Sequence, residues 1–144
     1  MKVFLGGTCA GTTWREELKP LLTIDYFDPV VDDWTPECQA EEERQKKICD
    51  YSLYVLSPEM KGMFSVAELV NDSIKRDVGN TVMCVLGSEI DWGKAQFKSL
   101  HAVASMVHRN GGYIVNFDEL PEENYNRDYS KLKEVANYLN NGAR

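Results

Sequence analysis

Three short stretches of this chain hold the residue types from which chemistry is built. Gly6-Gly7-Thr8-Cys9-Ala10-Gly11 is a glycine-rich run, Asp28, Asp32, Asp33 and Trp34 gather acids beside an indole, and Ser65-Val66-Ala67-Glu68 sets a carboxylate three residues after a hydroxyl. A glycine loop lets backbone N–H groups approach a ligand closely, and it serves equally as a tight strand-to-helix turn with no ligand. It is not a dinucleotide fingerprint, because Thr8 stands where the second glycine is needed, nor a P-loop, because no Gly-Lys-Ser/Thr follows. Glu68 has two readings. With Ser65 it has the spacing of a capping box, in which it closes a helix start. Alternatively, a carboxylate in the first helical turn is kept ionised by the helix dipole and attacks an anomeric carbon to give a covalent glycosyl intermediate. Spacing alone does not choose between them.

The elements that position these residues follow from apolar periodicity. Lys2 to Leu5 is a first strand stopped by Gly6-Gly7, and Thr13 with Glu16 matches a capping box for a helix from Trp14 to about Leu22, interrupted late by Pro20. Ile24 to Val31 reads as a second strand frayed by Asp28-Pro29. Thr35-Pro36 opens a helix to Ile48 whose charged run, Glu41 to Lys47, is expected to be a solvated face. Asp50 to Leu56 is a third strand, about Ser65 to Arg76 a helix, and Thr81 to Leu86 a continuous apolar run suited to a strand buried on both faces. Asp91 is expected to cap a helix from about Trp92 to His108, followed by a short strand Tyr113 to Val115. The polar segment Asn116 to Asn126 is read as a loop, with Glu119 to Glu123 a solvated connection. A last helix spans Tyr129 to Leu139, with Leu132, Val135, Ala136 and Leu139 on one stripe.

Strict strand–helix alternation predicts an α/β fold: a flavodoxin-like (Rossmann-like) three-layer sandwich on a five-stranded parallel sheet of order 2-1-3-4-5. Ligands of such sheets bind beyond the carboxyl ends of the strands, near the switch between strands 1 and 3. Gly6, Gly7 and Thr8, then Asp32, Asp33 and Trp34, then Gly62, Met63, Phe64, Ser65 and Glu68 all arrive at that rim. Backbone donors, acids and large apolar side chains together suit a small ligand with a hydroxylated part and a flat part. Trp34 and Phe64 either stack on a base or simply pack; Met63 and Trp14 are expected to pack.

Length and charge bound the alternatives. The 144 residues suit one domain, 1–144, and the net charge of −7 argues against a nucleic-acid polymer as partner. The apolar runs fall far short of the roughly 20 residues that span a bilayer, so no membrane partner is expected. The start lacks the apolar core of a signal peptide, and reduced cysteines in a cytoplasmic protein are the simplest reading. Cys9, Cys38, Cys49 and Cys84 show no CxxC spacing, so no zinc site is expected. They read as small packing residues, with Cys9 set apart by its place in the glycine loop. His101 and His108 share a helix face without a carboxylate pair or cysteine and read as surface or satisfied histidines.

Phe4 to Thr8, Trp14-Arg15, Phe27 to Trp34, Asp50 to Tyr54 and Ser57 to Glu68 together resemble the nucleoside 2-deoxyribosyltransferase-like family. The resemblance is close over about the first half of the chain and architectural beyond it. It implies a small-molecule nucleoside or nucleotide substrate, Glu68 as the nucleophile on C1′, and Asp50 as an acid near the base or sugar. A proton donor with a raised pKa is then sought among Asp32, Asp33 and Asp50. The Gly6, Gly7 and Thr8 backbone and Ser65 would position the sugar hydroxyls or a phosphate, with Gly62, Trp34 and Phe64 also expected to bind substrate. No metal or other cofactor is implied. A homo-oligomer is, with Asn116 and Asp118 as residues able to reach a neighbouring site. The expected activity is N-glycosidic cleavage or base exchange on a (deoxy)nucleoside or its monophosphate. The alternatives are an N-glycosidase acting on nicotinamide dinucleotides and a non-catalytic nucleotide-binding module.

Overall fold

The computed structural model describes residues 1–115 and 127–142. Asn116, Asp118 and the segment Glu119 to Glu123 therefore lie outside the described residues. Five strands form one parallel sheet: β1 (Lys2–Gly7), β2 (Asp25–Phe27), β3 (Tyr51–Leu56), β4 (Thr81–Val85) and β5 (Tyr113–Ile114), in the order β2-β1-β3-β4-β5. The helices are α1 (Trp14–Leu18), α2 (Pro36–Ile48), α3 (Phe64–Lys75), α4 (Glu89–Trp92), α5 (Lys94–Arg109) and α6 (Arg127–Asn140), with a 3₁₀ turn at Lys19–Leu21.

The central strands form because their residues are apolar apart from Ser52 and Thr81, and every residue of β3 and β4 is buried. Their alternation feeds two cores. Val3, Leu5, Leu53, Val55, Val82 and Cys84 point to the side covered by α1 and α6, where the expected stripe Leu132, Val135, Ala136 and Leu139 lies fully within the core. Tyr54, Leu56, Met83 and Val85 point to the opposite side, against Leu69 of α3 and Phe97, Leu100, Ala104 and Val107 of α5. Each core buries hydrocarbon at about 25 cal/mol per Å², which fixes the register of the strands between them. Trp14 is 1% exposed and belongs to the first core, as its helical setting predicts.

Three local expectations are corrected. Strand β2 stops at Phe27 and does not run to Val31: the Asp28 carboxylate accepts the Val30 amide at 3.0 Å and pairs with Lys19 at 2.7 Å and Arg15 at 3.5 Å, and Pro29 has no N–H to extend a ladder. At α1 the Thr13–Glu16 capping box does not form. Thr13 makes no side-chain cap bond, and Glu16 pairs instead with Lys19 at 3.0 Å. Asp91 is not the cap of the long fifth helix. It closes a capping box with Ser88 on the one-turn helix α4, and Gly93 at φ +89° then breaks the chain before α5 begins. Thr35 does cap α2, accepting from the Cys38 amide at 3.2 Å.

Candidate functional site

The cleft is built at the point where the strand order reverses, over the carboxyl ends of β1 and β3. Its floor exists because two glycines admit close contacts. A Cβ on Gly7, at φ +113°, would stand 2.1 Å from the Val55 carbonyl oxygen; one on Gly6 would stand 2.7 Å from the Tyr54 ring. The loop that follows is pinned at Thr8. Its amide donates to Val55 O at 2.9 Å, its hydroxyl accepts from the Ser57 amide at 3.0 Å, and its carbonyl takes the Trp14 indole at 2.9 Å and Arg15 Nη1 at 2.6 Å. The Arg15 guanidinium also donates to Leu5 O from Nε and Nη2, at 3.2 and 3.0 Å. Burial lowers its pKa, opposed by Cys9 and Asp28. Loop rigidity therefore comes from a buried cation satisfying carbonyls that the turn leaves without strand partners.

Three bays open from this floor. The first, of about 280 Å³, lies between the glycine loop and the start of α3 and is lined by Gly7, Thr8, Cys9, Gly62, Phe64 and Ser65 among others. The second, of about 230 Å³, has an apolar wall of Phe4, Pro29, Val30, Val31 and Trp34, faced by Glu42, Ser65 and Glu68. A third, of about 500 Å³, runs between α2 and α3 past Trp34, Glu42, Lys46, Phe64 and Glu68. Trp34 and Phe64 are 62% and 76% exposed, so neither is packed in a core. Met63 is also exposed and not packed, contrary to expectation; it is the N-cap position of α3, ahead of the helix that would have buried it.

Glu68 projects into this cleft. Helix α3 begins at Phe64, with Met63 at the cap and no side-chain cap bond, so Ser65 lies inside the helix and no box closes with Glu68. The carboxylate pairs instead with the Lys46 ammonium of α2, and the two side chains retain only 17% and 21% of their exposure. Lys46 also lies 5.2 Å from the centre of the Phe4 ring and 5.9 Å from that of Tyr54. Burial lowers the Lys46 pKa, opposed mainly by Asp72 and Glu42. Behind it the Tyr54 hydroxyl donates to Asp72 at 2.5 Å, and Arg76 donates to the Cys49 and Lys46 carbonyls at 2.8 and 2.6 Å. Burial, with Asp72 beside it, pushes the Tyr54 phenol far above its ordinary value.

Of the expected site residues, Gly6, Gly7, Thr8, Trp34, Gly62, Phe64, Ser65 and Glu68 all line the bays. Asp32 and Asp33 are exposed and line none of the three. Asp50 is at the amino end of the sheet, where its carboxylate accepts the Lys2 backbone amide at 2.9 Å, away from the cleft. Two wall residues went unread in the sequence, Glu42 and Lys46, because they sit within the charged run taken for a solvated face. A signal was present: α2 has almost no apolar stripe, yet a crossover helix has to cover the sheet. Its inward face is therefore polar, with Gln45 its one buried residue among 13. Among the described residues no cluster of His, Cys, Asp and Glu is arranged to hold a metal ion, and no helix is long and apolar enough to cross a membrane. The four cysteines are free; Cys49 and Cys84 are buried, as packing residues are, while Cys38 is partly exposed and Cys9 is exposed at the cleft.

A hollow with an apolar wall on one side and carboxylates on the other can accept a planar group with a polar group attached to it. The family model described as nucleoside 2-deoxyribosyltransferase like matches residues 1–88, which include β1 to β4 and the whole of this cleft. No curated protein and no solved structure matches the chain.

Proposed function

The chain belongs to the nucleoside 2-deoxyribosyltransferase-like family, and on that premise we propose that it cleaves the N-glycosidic bond of a nucleoside or nucleoside monophosphate through a glutamate nucleophile. The family name points to glycosyl transfer on nucleosides by an enzyme of deoxyribosyltransferase type. One observation carries the finer reading: the Glu68 carboxylate faces the cleft, paired with Lys46, and does not fold back on its own helix.

In this mechanism the base lies along the apolar wall at Val30, Val31 and Trp34, with the sugar toward Gly6, Gly7 and Ser65. Stacking on an indole contributes about 1–3 kcal/mol, enough to orient a base without reading its edges. Glu68 attacks C1′ and forms an ester. The C1′–N bond breaks, and its electron pair goes to the base nitrogen. The proton for that nitrogen comes from Glu42, which lines both bays that Glu68 lines, whereas Glu43 lines the third alone. That Asp32, Asp33 and Asp50 line none of the three bays supports choosing Glu42 over them. In the second half, Glu42 as carboxylate takes a proton from an acceptor base or from water, which then displaces Glu68 from C1′.

The test is base exchange and free-base release, measured on a panel of ribo- and deoxynucleosides, their 5′-monophosphates and NAD. Glu68→Gln, with unchanged circular dichroism, is expected to lose at least about a thousandfold in kcat. Retained turnover in that variant removes the nucleophile. Release of nicotinamide from NAD alone would move the substrate class, and tight binding without turnover in the wild type would leave only a binding module.

A further inference from the structure

We infer that Lys46 is a positioning residue that serves as a shared counter-ion for two carboxylates, pairing with Glu68 before the sugar is transferred and with Glu42 while the glycosyl-enzyme exists. The inference rests on the roles proposed above for Glu68 and Glu42, and it adds the regulation of charge between them.

The geometry supplies the pieces. The Lys46 ammonium lies over two aromatic rings, those of Phe4 and Tyr54. Its ammonium meets Glu68 directly. Glu42 stands one helical turn earlier on the same helix, at the i,i+4 spacing that brings two side chains together, and it lines the third bay with Lys46 and Glu68. The remaining charged and titratable groups facing Lys46 are Glu43 from α2, Asp72 from α3, Arg76 just beyond α3, and Tyr54 from β3. Asp72 is engaged by the Tyr54 hydroxyl, and Arg76 donates to two backbone carbonyls.

The charges then balance through the reaction. In the transfer step Glu68, paired with Lys46, attacks C1′ while Glu42 passes a proton to the leaving base. When C1′ bonds to Glu68, that carboxylate becomes a neutral ester, and Glu42, having passed its proton to the leaving base, becomes the anion. One negative charge has moved from α3 to α2 while the ammonium keeps its proton. A partly buried ammonium left without a counter-ion is costly, so Lys46 favours the states in which one of the two carboxylates is charged. It disfavours both being neutral, which keeps the nucleophile from being protonated at rest. The same charge stabilises the Glu42 anion formed by proton donation.

The experiment compares wild type, Lys46→Met and Lys46→Arg, each checked by thermal melting. Lys46→Gln is the second uncharged variant should Lys46→Met fail to fold. Glu68 is titrated in the free protein by carboxyl ¹³C NMR, its signal assigned by its loss in Glu68→Gln. Removing the ammonium is expected to raise the Glu68 midpoint by about one pH unit or more and to move both limbs of the kcat/KM profile to higher pH. KM should change little, and Lys46→Arg should restore both readouts. An unmoved Glu68 midpoint in a folded uncharged variant overturns the counter-ion role whatever the activity. A moved midpoint with only the acid limb shifted overturns the handover to Glu42 and leaves the pairing with Glu68. A moved midpoint in a protein with no Glu68-dependent turnover defeats the proposed reaction and not the ion pair.

Discussion

Two neighbouring strands, β3 and β4, end at the same rim of the sheet, and the chain treats the two ends in opposite ways. At β4 side chains among the described residues tie the rim down. The Lys131 ammonium, 4% exposed as a residue, donates to Val85 O at 2.8 Å, Asp128 accepts the Gly87 amide at 2.9 Å, and the Trp92 indole donates to Leu86 O at 2.7 Å. At β1 and β3 the rim is open, and its lysine meets a carboxylate. A lysine bonded to a backbone carbonyl saturates a strand end and gains stability from it. A lysine bonded to a carboxylate at the edge of a cleft holds a reactive group ionised, and contributes less to stability because both ions lose hydration. The same side chain thus ties down a strand end at one exit and pairs with the proposed nucleophile at the other.

That contrast can be broken by exchanging effects between the two ends. Lys131→Met is expected to lower unfolding free energy by about 2–3 kcal/mol, because it strips a charge-assisted bond from a buried carbonyl, and to leave turnover per folded molecule unchanged. Denaturant titration and kinetics on the same samples check this; a fall in kcat without a fall in stability would erase the distinction between the exits. Tyr54→Phe sharpens it on the open side. Losing the bond to Asp72 costs about 1–2 kcal/mol at neutral pH. The sign of the pH effect follows from the raised phenol: the unfolded state loses this proton near pH 10 while the folded state keeps it, so the stability it contributes is complete below pH 10 and is lost as pH rises above it. Wild type should therefore destabilise more steeply than Tyr54→Phe above pH 10, in melts recorded along that range. Asp50→Asn, at the far end of the sheet, should change kcat/KM by less than about twofold and stability by under about 0.5 kcal/mol. A large loss of activity there would show that the amino edge takes part.

The fold was readable because its central strands are continuous apolar runs, and alternation with helices leaves few topologies for them. Boundaries failed where a side chain took over a backbone partner: Asp28 ended β2 by bonding the Val30 amide, and the Ser88–Asp91 box closed the separate short helix α4, leaving Gly93 at the cap position of α5. That the glycines, Trp34 and Glu68 line the cleft was readable from type and position. Glu42 and Lys46 were not, because charge on a helix looks the same whether it faces water or a cleft. Only the packing of α2 over Phe4 decides, and that contact is set by residues more than thirty positions apart. The choice between cap and cleft for Glu68 was likewise made by the starting residue of α3, a matter of one residue that local propensities do not fix.

The most direct measurement is the site of a trapped sugar. The protein is incubated with 2′-deoxy-2′-fluoronucleosides and their 5′-monophosphates, in which the fluorine slows breakdown of the glycosyl ester, and is then analysed by intact and peptide mass spectrometry. The account predicts an added fluorosugar on the peptide containing Glu68, absent in Glu68→Gln. A sugar carried on another residue, or an adduct that persists in Glu68→Gln, would contradict it.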